Sequence, residues 1–281
     1  MLIIQHFIAG LYLISGSISD FKTREVADWS NYGLIVFGIA YNLMFAIMQN
    51  NYWFFLNSLI GFGIFFLLAV IMFYSGQWGG GDSKMLMGLG ALYGLNFNQT
   101  FLLHFIINTL IAGAFYGILW SFFIAIKNRK KFSKEFMKLF NSNRKTRKLL
   151  LIVIPLMLIA ALIIRGFPGF TIGVLAVGIY SIFYLWLVIK SVENACMYKL
   201  VEPDKLTEGD WIAKDVKYQG KVVTGPKDLG ISKKSISKVK KLYRENKIKK
   251  ILIKEGIPFV PSFLLGWLMT ILFGNLFLYL L

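Results

Sequence analysis

Long apolar runs, divided by short polar or basic connectors, recur along this chain and limit what it can fold into. They fall at 2–19, 32–48, 52–74, 83–95, 100–126, 149–164, 170–189 and 259–281. Several approach or exceed the ~18–20 residues that a helix needs to cross a bilayer. The expected fold is an all-α polytopic membrane protein with about eight transmembrane helices. The run at 83–95 is short and holds Gly88, Gly90 and Gly94, so it suits an internal position better than a lipid-facing one. The first run has neither a basic leader nor a small-residue cleavage site, and is expected to be a membrane helix rather than a removed signal peptide. Residues 190–257 break the pattern. Mixed charges, short strand signals at 211–216 and 249–253, and a helix capped by Ser232 and running to about Asn246 point to a small cytoplasmic α+β unit before the last helix. Ile236, Val239, Leu242 and Tyr243 lie on one face of that helix.

Charge gives the orientation. The net charge is +17, and ten Lys and Arg residues between 127 and 148 face one acid, Glu135. In a chain this apolar, such an excess marks the cytoplasmic side and contact with anionic lipid rather than nucleic acid. The basic connectors (Lys22/Arg24, Lys84, 127–148 and 190–257) all fall on one side, and the opposite connectors hold only Arg165. Both termini are therefore expected outside, in a multi-pass protein of the cytoplasmic membrane. The expected division is a catalytic membrane region at 1–126, a basic cytoplasmic loop at 127–148, two spans within 149–189, the cytoplasmic unit at 190–257 and a last span at 258–281. Cys196 is the one cysteine and the two histidines, His6 and His104, sit far apart in apolar runs; neither points to a metal site.

Up to residue 190 the acids are Asp20, Glu25, Asp28, Asp82 and Glu135 alone. Carboxylates at membrane depth are costly and are functional-site candidates by default. Asp82 follows Gly79-Gly80-Gly81 and precedes Lys84; Asp20 closes the first span, and the topology brings the two to one depth. Two carboxylates sharing a low-dielectric site hold one proton between them, and so offer an acid and a base together. That suits metal-free peptide hydrolysis. The three glycines let the backbone bend and let a peptide approach closely; Lys84 can pair with an aspartate or reach lipid phosphate. A plain helix cap at Asp82 and an interfacial Asp20 paired with Lys22 or Arg24 is the structural alternative. Glu25 and Asp28 lie further out in the connector.

Gly79-Gly80-Gly81-Asp82-Ser83-Lys84 after a membrane span resembles the Gly-x-Gly-Asp signature of membrane aspartyl proteases, in the form carried by type IV prepilin peptidases. The block from Asp20 to Asp28 resembles the segment that supplies that family's first catalytic aspartate. The whole chain resembles the archaeal prepilin and preflagellin (prearchaellin) peptidases, and Glu208–Ile212 with Gly256–Pro261 is similar to a C-terminal region of some of them. The resemblance implies removal of a short basic leader, a class III signal peptide, from pilin-like or archaellin precursors at the cytoplasmic membrane face. It implies Asp20 and Asp82 as the catalytic pair, Gly79, Gly80, Gly81 and Lys84 as their support, and Glu25 and Asp28 as contacts for the basic leader. It also implies that the dyad can need a closure. The zinc-binding cysteine domain and methyl transfer of bacterial members are not implied, and no cofactor or metal is expected. The presenilin branch differs: its Pro-Ala-Leu motif is absent, and Asp20 follows Ser19 where that branch has tyrosine. The competing function is an ion or solute transporter, or a membrane scaffold, using Asp20 and Asp82 as cation or proton sites; internal repeats expected of many transporters are not evident.

Overall fold

The computed structural model describes residues 1–95 and 101–275. It is mostly helical, and among the described residues six helices are long and apolar enough to cross a membrane. These are α1 (Leu2–Thr23), α2 (Asp28–Met48), α3 (Trp53–Tyr74), α5 (Phe101–Lys127), α7 (Arg144–Ile164) and α8 (Gly166–Val192), the last continued by a π-helical turn, Glu193–Met197. The other two expected spans are shorter. Helix α4 (Gly80–Tyr93) and helix α10 (Val260–Phe273) have 14 residues each, and 276–281, the end of the expected last span, lies outside the described residues.

The chain divides into two compact units: Met1–Gly117 with Val201–Leu281, and Ile118–Leu200. In the first, α4 is the axis. Eight of its fourteen residues are buried, as suits a helix enclosed by others, and its neighbours are α2 and α3. Missing side chains allow this. A Cβ on Gly61 would come within 2.5 Å of the Gly90 carbonyl, and one on Gly38 within 2.7 Å of the Leu92 nitrogen. Met85, Leu86, Leu89 and Leu92 then pack with Leu13, Leu34, Phe65 and Phe263 in one core. Small residues at such contacts let membrane helices approach closely.

The far end of α4 is buried, so its last carbonyls need donors. Asn42 Nδ2 donates to Ala91 and Leu92 at 3.2 and 2.9 Å, Gln5 Nε2 to Leu92 at 2.7 Å, and Ser58 Oγ to Ala91 at 2.6 Å. Three surrounding helices thus each supply a polar side chain to one helix end. His6 is packed nearby, its Nδ1 2.8 Å from the Tyr93 hydroxyl, which also accepts the Trp267 indole N–H at 2.8 Å.

The α+β portion of this unit has its own core of Leu206, Ile212, Ile231, Val239, Ile251 and Ile253. Strand β1 (Tyr198–Val201) lies where the chain passes from one unit to the other; β2 (Trp211–Ile212) pairs antiparallel with β5 (Ile251–Lys254), and β3 (Val216–Tyr218) with β4 (Lys221–Thr224). The single strand expected at 211–216 is therefore two strands in two sheets, broken between Ile212 and Val216. Helix α9 (Lys233–Arg244) begins where expected: Ser232 Oγ accepts the Ser235 N–H at 3.3 Å, and Val239 and Leu242 are buried.

In the second unit the stretch 127–148 is helical rather than a loop. Helix α6 (Arg129–Ser142) fills most of it, and α7 already starts at Arg144. The reason is visible in the spacing: Phe132, Phe136 and Phe140 recur every four residues and stack with centroids 5.7 and 5.9 Å apart. The Arg147 guanidinium lies 3.5 Å from the Phe140 ring centre. Helices α7 and α8 form a hairpin that turns at Arg165 and Gly166, both at positive φ. Leu151, Ile152, Leu162, Ile163, Phe167 and Phe170 point outward, as suits helices solvated by lipid.

Candidate active site

Asp20 sits in the last turn of α1, three residues inside its end, and is buried. The helix closes at Arg24, which takes a left-handed φ of 61° and donates its N–H to the Asp20 carbonyl at 3.0 Å. The chain then folds back through Val26, itself buried. Gly16, one turn before Asp20, leaves room for Met85, Val260 and Val26; a Cβ there would lie 2.7 Å from the Met85 methyl. Three elements thus converge on the end of α1.

Asp82 is the third residue of α4, whose N-cap is Gly79. Its Oδ2 accepts the Gly79 N–H at 3.0 Å, which closes the first turn. Asp82 is thus not the N-cap that the sequence offered as an alternative: it is the third residue, bonded back to the Gly79 cap, and the first turn of α4 meets the chain just after α1 at Val26, whose Cβ a Cβ on Gly81 would approach to 3.3 Å. The Asp20 carboxylate is oriented from a third direction. Its Oδ2 accepts the Val260 N–H at 3.0 Å, from the start of α10. The peptide N–H groups that open a helix have no partners within it and suit an anion well.

The glycines divide the labour differently from the expectation. Among 76–81 only Gly76 has positive φ, at 69°, so the turn between α3 and α4 is made there. Gly81 serves close approach, since a Cβ on it would lie 3.3 Å from the Val26 backbone nitrogen. Gly79 supplies the donor to Asp82, and Gly80 has nothing nearer than the Phe73 ring at 3.9 Å. Lys84 pairs with Asp28 and lies 5.0 Å from the centre of the Tyr32 ring. That pair ties the start of α2 to the start of α4. Glu25 is exposed in the connector, where its main-chain carbonyl accepts the Ser19 and Thr23 hydroxyls at 2.7 and 3.1 Å.

Other residues enter the site from far along the chain. Trp78 is buried against Phe259 and Phe263, with centroids 5.5 and 5.3 Å apart. The sequence reading marked Gly256–Pro261 as similar to a C-terminal region of the archaeal peptidases, and the Val260 donor is what that segment brings to the site.

The arrangement is two carboxyls, each oriented by a main-chain donor, one in the last turn of α1 and the other in the first turn of α4. Among the described residues no cluster of three or more His, Cys, Asp or Glu side chains forms a metal cage. Such a pair can take a proton from water while donating another to a carbonyl oxygen.

Comparison with known proteins agrees with this geometry. Residues 7–118, which contain both aspartates, match the model of the type IV leader peptidase family. A preflagellin peptidase of Methanococcus maripaludis is 37% identical over 49% of this chain and 66% of its own length. One of Methanocaldococcus jannaschii is 30% identical over 49% of this chain and 65% of its own length. The chain thus spans just under two thirds of the length of these two relatives. A prepilin peptidase, EppA, of Methanothermobacter thermautotrophicus is 22% identical over 96% of this chain and 94% of its own length. No solved structure matches.

Proposed function

We propose, from the match of residues 7–118 to the type IV leader peptidase family, that this chain is a membrane aspartyl endopeptidase of that kind with Asp20 and Asp82 as its catalytic pair. Its substrates are pilin-like or archaellin precursors, from which it removes a short basic leader at the cytoplasmic face. The observation that carries this is the close approach of the last turns of α1 and the first turns of α4, where one carboxylate is held by the Gly79 N–H and the other by the Val260 N–H.

The chemistry follows from one shared proton. The ionised carboxylate takes a proton from a water that attacks the scissile carbonyl carbon. The protonated partner donates to the carbonyl oxygen as charge develops there. The tetrahedral intermediate then collapses: the C–N bond breaks, the proton taken from water passes to the leaving amine, and a hydroxyl of the intermediate returns its proton to the second aspartate as the product carboxyl forms. The aspartates finish as they began, and no covalent enzyme intermediate forms. Gly81 and Gly79 keep side chains away from the approach to Asp82, and Lys84 braces the α4 turn against α2 through Asp28.

The basic leader needs negative charge at the cytoplasmic rim. Glu25 is exposed and suits this role; Asp28 is exposed too, but part of its charge is taken up by Lys84. The bilayer holds the apolar segment of the precursor beside α1 and α4. The transporter and scaffold readings gain no support from the relatives, which are peptidases by name.

The test is cleavage of a purified precursor by the full chain in lipid vesicles, read by mass spectrometry. The expected product lacks the basic leader and keeps its whole apolar segment. Cuts scattered within the apolar segment, or none, would contradict the reading.

A further inference from the structure

One sheet of the α+β portion reaches both aspartates. Its strand β2 begins at Trp211, which pairs in register with Lys254, the last residue of β5. The Ala213 N–H donates to the Leu252 carbonyl at 2.8 Å and fixes that register. The Trp211 indole lies against Gly76, where a Cβ would come within 3.1 Å of the ring's outer edge. Gly76 is the residue whose positive φ makes the turn into α4, and Gly79, three residues on, holds Asp82. On the other strand, Lys254 leads through five residues to Val260, whose N–H holds Asp20. Paired residues on adjacent strands therefore end at opposite members of the dyad.

We propose that the β2–β5 strand pair sets the separation of the Asp20 and Asp82 carboxyls, with Trp211 as the positioning residue on the Asp82 side. The inference rests on the peptidase reading above. Trp211 touches no reacting atom. Its indole stops the Gly76 turn from moving outward, while Trp78, packed on Phe259 and Phe263, stops it from the core side. A turn with Gly76 and Gly79–Gly81 has many backbone states open to it, so it needs external stops to hold one. An acid–base pair needs its groups within about 0.5 Å of the productive geometry, and a displacement of about 1 Å can cost about 100-fold in rate. This gives the small sheet a task in catalysis rather than in recognition of the precursor.

The full chain in vesicles would be assayed with one precursor as wild type, Trp211→Ala, Trp211→Phe, and a form with Gly-Ser inserted after Gly256. Gly256 is exposed and faces open space, so the insertion lengthens the link to Val260 with little cost to packing and tests the same sheet from its Asp20 side if Trp211→Ala does not fold. Trp211→Ala and the insertion are each expected to lower kcat by about 10- to 100-fold with KM within about twofold, and Trp211→Phe to recover most of the loss. Wild-type kcat in both, a rise in KM alone, or a loss matching the fraction of unfolded protein overturns the proposal. If the wild type cleaves no precursor, the peptidase reading falls and takes the proposal with it; if it cleaves while the variants match it, the proposal alone falls.

Discussion

The two aspartates get their setting from different distances along the chain. Asp82 is held by Gly79, three residues away, whereas Asp20 is held by Val260, 240 positions away. That difference decides what a reader of the sequence can find. The glycine–aspartate motif announces the first by its own composition. The second partner is a main-chain N–H, which any residue but proline supplies, so no side-chain pattern marks it. Lys84 and Asp28 show a similar limit: both stood out as charges, but their pairing depends on how α2 meets α4. Because Asp28 is 65% exposed, its ion pair contributes under about 1 kcal/mol. Asp28→Asn should therefore leave kcat within a few-fold of wild type and shift the melting temperature little. Loss of cleavage in a folded Asp28→Asn protein would move that residue into the catalytic machinery.

At the scale of the element, α4 is the test of packing. Its glycines were legible as a sign of an internal helix, and it is internal. The polar residues that terminate it were not: Gln5, Asn42 and Ser58 looked like isolated polar residues in apolar runs, and only the assembled helices bring them to one end. Asn42→Leu removes the donor shared by Ala91 and Leu92 and should destabilise the protein by about 1–3 kcal/mol, seen as a lower melting temperature in detergent with catalytic geometry kept. An unchanged melting temperature would show that Gln5 and Ser58 suffice. The basic stretch 127–148 was misjudged for the opposite reason. Its charge density suggested a solvated loop, while the four-residue phenylalanine spacing, which makes it α6, lay beneath the charges.

For the whole molecule, the long apolar runs announced a membrane protein, and the helices that answer them are present. The α+β portion was legible as a fold but not as part of the site, because its sheet reaches the aspartates only through Trp211 and Val260. Sidedness is a proposal from charge alone: the Lys and Arg excess of the connectors is expected to lie on the cytoplasmic side. With Cys196 replaced by serine, a cysteine at Lys22 should react with an impermeant reagent only in inverted vesicles, and one at Asn50 only in intact cells. The reverse pattern would put the site on the outer face. The most direct test of the central claim remains cleavage of a leader-bearing precursor by Asp20→Asn and Asp82→Asn beside wild type, each with its fold checked by melting. Both folded variants should lose cleavage entirely, each alone, because one proton shared by two carboxyls is needed. Wild-type cleavage by either would contradict the dyad.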